Sequence, residues 1–114
     1  MEINTTREKD AVIVSLKGRM DAITSLEFDE SMSTLISAGG KFFIINLSQL
    51  DYISSAGLRS FLKIAKQLKA KDGKILFAGL QGPVHDVFKI SGFITIFNVY
   101  ETEEEALKSY LCAS

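Results

Sequence analysis

One cysteine, one proline, one histidine and no tryptophan occur among the 114 residues, and each scarcity closes off a class of chemistry. A lone Cys112 forms no internal disulfide and cannot by itself build a structural zinc site; two residues from the C-terminus, it reads as an incidental side chain. The single His85 leaves little room for a triad. Asp21, Asp51 and Asp86 are present, but no Gly-x-Ser-x-Gly elbow surrounds Ser54 or Ser55 and His85 lies far along the chain, so no catalytic residue is assigned. Gly73, Gly79, Gly82 and Gly92 are scattered, without a Gly-x-x-x-x-Gly-Lys or Gly-x-Gly-x-x-Gly spacing, and no nucleotide or other cofactor is expected. Thirteen basic residues against fourteen acidic ones give a net charge of -1, which argues against direct nucleic-acid binding through phosphate neutralisation. No apolar run approaches the roughly 20 residues needed to cross a bilayer, and the N-terminus lacks the profile of a secretion signal. A cytoplasmic location without a membrane partner is therefore expected.

What is present is the pattern of one α/β domain, expected over residues 2–112. Glu2 to Thr6 and Ala11 to Lys17 read as an antiparallel pair, with Val12, Val14 and Leu16 alternating toward a core. Gly18 is expected to break the second strand. Thr24 and Glu27 have capping-box spacing for a helix carrying Phe28, Met32, Leu35 and Ile36 inward, which Gly39 and Gly40 end. Lys41 to Leu47 is an apolar run of strand length, and Leu58, Phe61, Leu62, Ala65 and Leu68 recur at helical spacing from about Gly57 to Ala70. An Asp72-Gly73 turn leads to a strand over Lys74 to Leu80. Pro83 opens a short helix that Gly92 closes, Ile94 to Val99 reads as one more strand, and Thr102 with Glu105 caps a last helix with Ala106, Leu107, Tyr110 and Leu111 on its apolar side. The order β-β-α-β-α-β-α-β-α predicts a mixed, mostly parallel sheet of about five strands with four helices mainly on one face.

Two small hydroxyls, Ser54 and Ser55, stand where the apolar strand gives way to the amphipathic helix. Unpaired N–H groups and the helix dipole favour an oxygen ligand or an added phosphate at such a place. Serine is equally a good N-cap, and spacing alone favours that role. Arg59, Lys63 and Lys66 form a stripe on the same helix, with Lys69 and Lys71 nearby; the stripe reads chiefly as a solvated face, with Arg59 placed to meet a partner or a phosphate near Ser55. Glu103, Glu104 and Glu105 suit the first turn of the last helix and are not assigned as metal ligands.

The run Leu50-Asp51-Tyr52-Ile53-Ser54-Ser55-Ala56-Gly57-Leu58 resembles the phosphorylation motif of the anti-sigma factor antagonists, which belong to the STAS domain proteins. Gly18-Arg19-Met20-Asp21 resembles that family's Gly-x-hydrophobic-Asp element, and Ser91-Gly92-Phe93 its Ser-Gly-hydrophobic element. The resemblance implies the STAS fold and a chain that is substrate and ligand rather than enzyme. It further implies binding to an anti-sigma factor that is also a serine kinase, release of a sigma factor by the unphosphorylated form, and restoration by a serine phosphatase. The aligned acceptor is Ser55, with Ser54 the second candidate because it fills a position where many members have aspartate. Asp21, Ser54, Ser55, Ala56, Gly57, Leu58 and Arg59 are the partner-binding residues so implied, although Asp21 equally suits a turn-shaping role. A standalone STAS module of a transport or sensory complex, working without phosphorylation, is the other reading that the resemblance leaves open. Either a monomer or a weak dimer is compatible with the sequence.

Overall fold

The computed structural model describes residues 1–112; of Leu111 and Cys112 only the backbone is described, so the roles expected of their side chains lie outside it. The chain runs β1 (Glu2–Glu8), β2 (Ala11–Met20), α1 (Ala22–Ser37), β3 (Phe42–Ile53), α2 (Ser55–Ala70), β4 (Lys74–Ala78), α3 (Gly82–Ser91), α4 (Phe93–Ile96), β5 (Asn98–Tyr100) and α5 (Glu103–Cys112). The strands form one sheet in the order β1-β2-β3-β4-β5. Only β1 is antiparallel to its neighbour; β2 to β5 run parallel, so the intervening helices start at one end of the sheet and finish at the other.

Alternation along β2 decides the layers. Val12, Val14 and Leu16 enter the larger core with Phe28, Met32, Phe61, Ile64, Leu68, Val84 and Phe88 from α1, α2 and α3, while Ala11 and Ile13 face the other way, onto Ala106 of α5. Four of the five helices thus cover one face and α5 covers part of the second. The larger core is aromatic: Phe61 meets Phe28 edge to face at 5.3 Å and Phe77 at 4.8 Å, and Phe77 continues to Phe88 at 5.7 Å and Phe97 at 4.9 Å.

Several elements differ from the sequence reading. Gly18 does not break β2. It adopts φ 108° beside a register shift against β3, so the strand bends and continues to Met20. β3 likewise passes its apolar run and reaches Ile53, because Gly18, Arg19 and Met20 pair with Leu50, Tyr52 and Ile53. β4 stops pairing β3 at Asn46, so this last part of β2 and β3 is a two-stranded extension of the sheet. The stretch expected as a strand from Ile94 divides into the single turn of α4 and a three-residue β5, with Thr95 Oγ donating to the Gly92 carbonyl at 2.7 Å and Phe93 turned inward. The short stretch Phe93-Ile94-Thr95-Ile96-Phe97 fits either period, and tertiary burial of Phe93 decides it.

Candidate functional site

The paired ends of β2 and β3 hand their chains to two helices side by side. Met20 pairs with Ile53, and the Ser54 N–H donates to the Met20 carbonyl at 2.9 Å. The next residue on each chain therefore caps a helix: Asp21 is the N-cap of α1 and Ser54 the N-cap of α2.

Asp21 carries a closed set of bonds. Its carboxylate accepts from the N–H groups of Ile23 at 3.0 Å and Thr24 at 2.9 Å, while its own N–H donates to Thr24 Oγ1 at 2.8 Å. The capping box thus lies one turn earlier than Thr24-x-x-Glu27 suggests, with threonine folding back in the place usually held by a longer side chain. The Thr24 N–H is the largest influence holding the carboxyl below its ordinary 3.8; burial opposes it, and the Thr24 hydroxyl, the Ile23 N–H and the Arg19 charge add to the lowering. Turn shaping by Asp21 is a structural fact.

The two serines are placed differently. Ser54 is half-buried, and its hydroxyl oxygen accepts from the Gly57 N–H at 3.2 Å. Ser55 is the first residue of α2 and is exposed, and among the described residues no hydrogen bond engages its hydroxyl. The N–H groups of Ser55 and Ala56 belong to a first turn, which has no intrahelical acceptor for them. Ala56 is half-buried. Gly57 is buried so tightly that an added Cβ would lie 2.7 Å from Ile53 Cγ1 and 3.1 Å from Met20 Cγ. Leu58 is half-buried against the larger core, and Arg59 is exposed one turn after Ser55. Of the sequence-assigned residues, Ser55 and Arg59 are presented to solvent, Gly57 and Leu58 face inward, and Asp21 and Ser54 hold the two helix starts together.

Sequence reasoning missed three neighbours. Arg19 stacks on the Tyr52 ring with its guanidinium carbon 4.2 Å from the centroid, a pairing that only the extended strands create. Ile23 and Leu26, in the first turns of α1, are 73% and 62% exposed, an unusual state for large apolar groups on a helix whose other face is core. Helical spacing places Ile23 and Leu26 off the stripe of Phe28, Met32 and Ile36, which was the available signal. The acidic start of α5 stands apart from this site, where Glu103 accepts from Asn46 Nδ2 at 2.9 Å and the Glu105 N–H donates to Thr102 Oγ1 at 3.1 Å.

Comparison with known proteins gives a consistent picture. The family model for the STAS domain matches residues 2–106. BtrV of Bordetella bronchiseptica, a protein named for an anti-sigma factor antagonist role, is 32% identical over 113 residues, covering 99% of this chain and 97% of BtrV. The anti-sigma-B factor antagonist of Staphylococcus aureus is 26% identical over 104 residues, 91% of this chain and 96% of that protein. Among solved structures, the anti-sigma factor antagonist SpoIIAA in its unphosphorylated form has a TM-score of 0.82 at 24% identity, covering 96% of both chains. Its phosphorylated form has a TM-score of 0.75 at 23% identity, covering 96% of this chain and 99% of that one. At such identity these two structures speak for the fold.

Proposed function

This chain belongs to the STAS domain family, and from that premise we propose that it is an anti-sigma factor antagonist switched by phosphorylation of Ser55. In this reading the unphosphorylated protein binds an anti-sigma factor with serine kinase activity and so frees a sigma factor. The kinase turns the antagonist off, a serine phosphatase restores it, and the chain does no chemistry itself. The observation that carries the choice of acceptor is the contrast between the serines. Ser54 spends its hydroxyl on the helix cap, whereas the Ser55 hydroxyl is exposed and uncommitted.

The physical consequence of modification follows from the placement. A phosphate adds about -1.5 to -2 charges at a helix start, where open N–H groups and the dipole tolerate them, so little refolding is expected. Its effect falls on the docked partner, through a clash and through charge placed in a desolvated interface. Asp21, Ser54 and Arg59 frame the docking surface, and Arg59 is one turn from the phosphate and positioned to pair with it. Gly57 and Leu58 contribute by setting the height of α2 above Met20 and Ile53 rather than by direct contact.

Incubation of the protein with the serine-kinase anti-sigma factors of its source and ATP, followed by mass-spectrometric mapping, tests this reading. Phosphate on Ser55, lost in Ser55→Ala and retained in Ser54→Ala, is the expected result. Phosphate on neither serine with any of these kinases would move the assignment to a STAS module that works without phosphorylation. A Ser55→Asp protein found largely unfolded by calorimetry would refute the account of how the switch acts.

A further inference from the structure

At the end of the molecule opposite Ser55, the fold gathers cations that the sequence keeps apart. Lys69 and Lys71 close α2, Lys41 precedes β3, Lys74 opens β4 and Lys89 lies in the last turn of α3; all five are exposed. The Lys74 N–H donates to the Lys41 carbonyl at 2.7 Å, which sets these two lysines at the starts of neighbouring strands. Among the described residues Asp72 lies within this group and Asp10 beside Lys41, and the ion pairs found there, Lys17 with Glu2 and Lys63 with Asp29, engage none of the five lysines. The β1–β2 turn, with Glu8, Lys9 and Asp10, lies at the same end, and the pairing of Ala11 with Phe42 brings Asp10 beside Lys41, so six lysines stand against three carboxylates among the described residues there. Helix dipoles account for Lys69 and Lys89, each in a last turn. They do not account for Lys41 and Lys74 beside one another on strands.

Two large apolar side chains are exposed on elements that finish toward this end. Ile90, in the last turn of α3, is 87% exposed, and Ile96, at the end of α4, is 63% exposed. β5 starts two residues after Ile96 and its Asn98 pairs with Leu76, two residues after Lys74, so Ile96 and Lys74 arrive at the same end of neighbouring strands. Like charges gathered in excess of the carboxylates described beside them, together with apolar groups left in water, are unfavourable in the free protein and are relieved together by an anionic surface with an apolar interior.

We propose that this end of the molecule, which presents Lys41, Lys71, Lys74 and Lys89 together with Ile90 and Ile96, docks on an anionic lipid surface. The lysines meet headgroup phosphates, each cation within a Debye length adding to the attraction, and the isoleucines enter the headgroup boundary. Protruding side chains on helix and strand ends suit a fluid headgroup layer, whereas a folded acidic protein would need two sockets matched to Ile90 and Ile96. The sixteen residues of α2, at about 1.5 Å each, keep Ser55 roughly 24 Å from that surface and facing away from it. The proposal is independent of whether Ser55 is phosphorylated.

Sedimentation of the full chain with phosphatidylglycerol–phosphatidylcholine vesicles, and with phosphatidylcholine alone, tests it at low and high salt. Binding to the anionic vesicles that falls with salt is expected, weakened at least about tenfold in Lys41→Glu/Lys74→Glu. An Ile90→Ser/Ile96→Ser variant should lose most of the binding that survives salt, while both variants keep the wild-type circular dichroism and melting transition. A Glu103→Gln/Glu104→Gln control at the other end should bind as the wild type does. No binding to anionic vesicles at low salt, or binding unchanged in the lysine and isoleucine variants, would overturn the proposal. Preferential capture by soluble polyglutamate over vesicles would also overturn it, in favour of an acidic protein partner.

Discussion

Replacing the two adjacent serines one at a time separates a helix cap from an uncommitted hydroxyl. Ser54→Ala removes the acceptor of the Gly57 N–H and leaves that donor in a half-buried first turn, where the loss of a serine cap typically costs about 1 kcal/mol. For 114 residues, at about 2.1 cal/mol/K of unfolding entropy each, the transition carries roughly 240 cal/mol/K. Division gives a melting temperature lower by about 4 °C. Ser55→Ala removes an exposed group with no hydrogen-bond partner among the described residues, and surface changes of that kind stay within about 0.5 kcal/mol, or roughly 2 °C. Thermal unfolding followed by circular dichroism, with both variants beside the wild type, reads the difference directly. The phosphotransfer assay should show the reverse order, with Ser54→Ala modified and Ser55→Ala not. Equal melting shifts for the two variants, or a larger shift for Ser55→Ala, would refute the division of roles between them.

Three further outcomes follow from the same geometry. Gly57→Ala brings a methyl against Ile53 and Met20, and overpacking of about 1–3 kcal/mol outweighs the helix preference of about 1 kcal/mol gained; a neutral result in urea titration would mean that the start of α2 can lift off the sheet. Phe61→Ala empties the fully buried centre of the phenylalanine cluster and should cost about 3–5 kcal/mol by the same assay, with a loss under about 1 kcal/mol contradicting the packing described. Asp21 has a folded pKa below its unfolded value, so its contribution is complete above the ordinary 3.8 and disappears as pH falls through the folded value. The urea midpoints of wild type and Asp21→Asn should accordingly differ at pH 7 and converge as the pH falls through the folded value, and a gap that persists in stronger acid would show that the Asp21 charge is not its source.

Much of the fold was legible in the sequence because strong local periodicity coincided with tertiary burial. The alternation of Val12, Val14 and Leu16 and the spacing of Phe61 and Leu68 each state which side faces the core, and both segments formed, although Ile64 was missed and β2 runs on to Met20. The ends of β2 and β3 were hidden for a common reason. Gly18, Arg19 and Gln49 carry no strand preference and are held extended by pairing between the two strands, which is information from outside either segment. The strand expected over Ile94 to Val99 formed only from Asn98, because the stretch before it lacks a period of its own and burial of Phe93 selected a helical turn there. At the site, the serine motif placed the start of α2 to within two residues. The division of labour between Ser54 and Ser55 was not legible, since it depends on which hydroxyl turns toward Gly57. The gathering of Lys41, Lys71, Lys74 and Lys89 was hidden too, because a net charge near zero says nothing of how a parallel sheet sorts charge between its two ends.

In the function proposed above, a phosphate on Ser55 acts at the partner interface and leaves the fold intact. Titration calorimetry of the cognate anti-sigma factor with the protein before and after stoichiometric phosphorylation tests it most directly, with the melting temperature of both forms recorded alongside. The account predicts affinity weakened by at least about 100-fold, consistent with like charge costing several kcal/mol across a desolvated contact, and melting temperatures within a few degrees of one another. Unchanged affinity of the phosphorylated form, or affinity lost only together with the folded state, would contradict it.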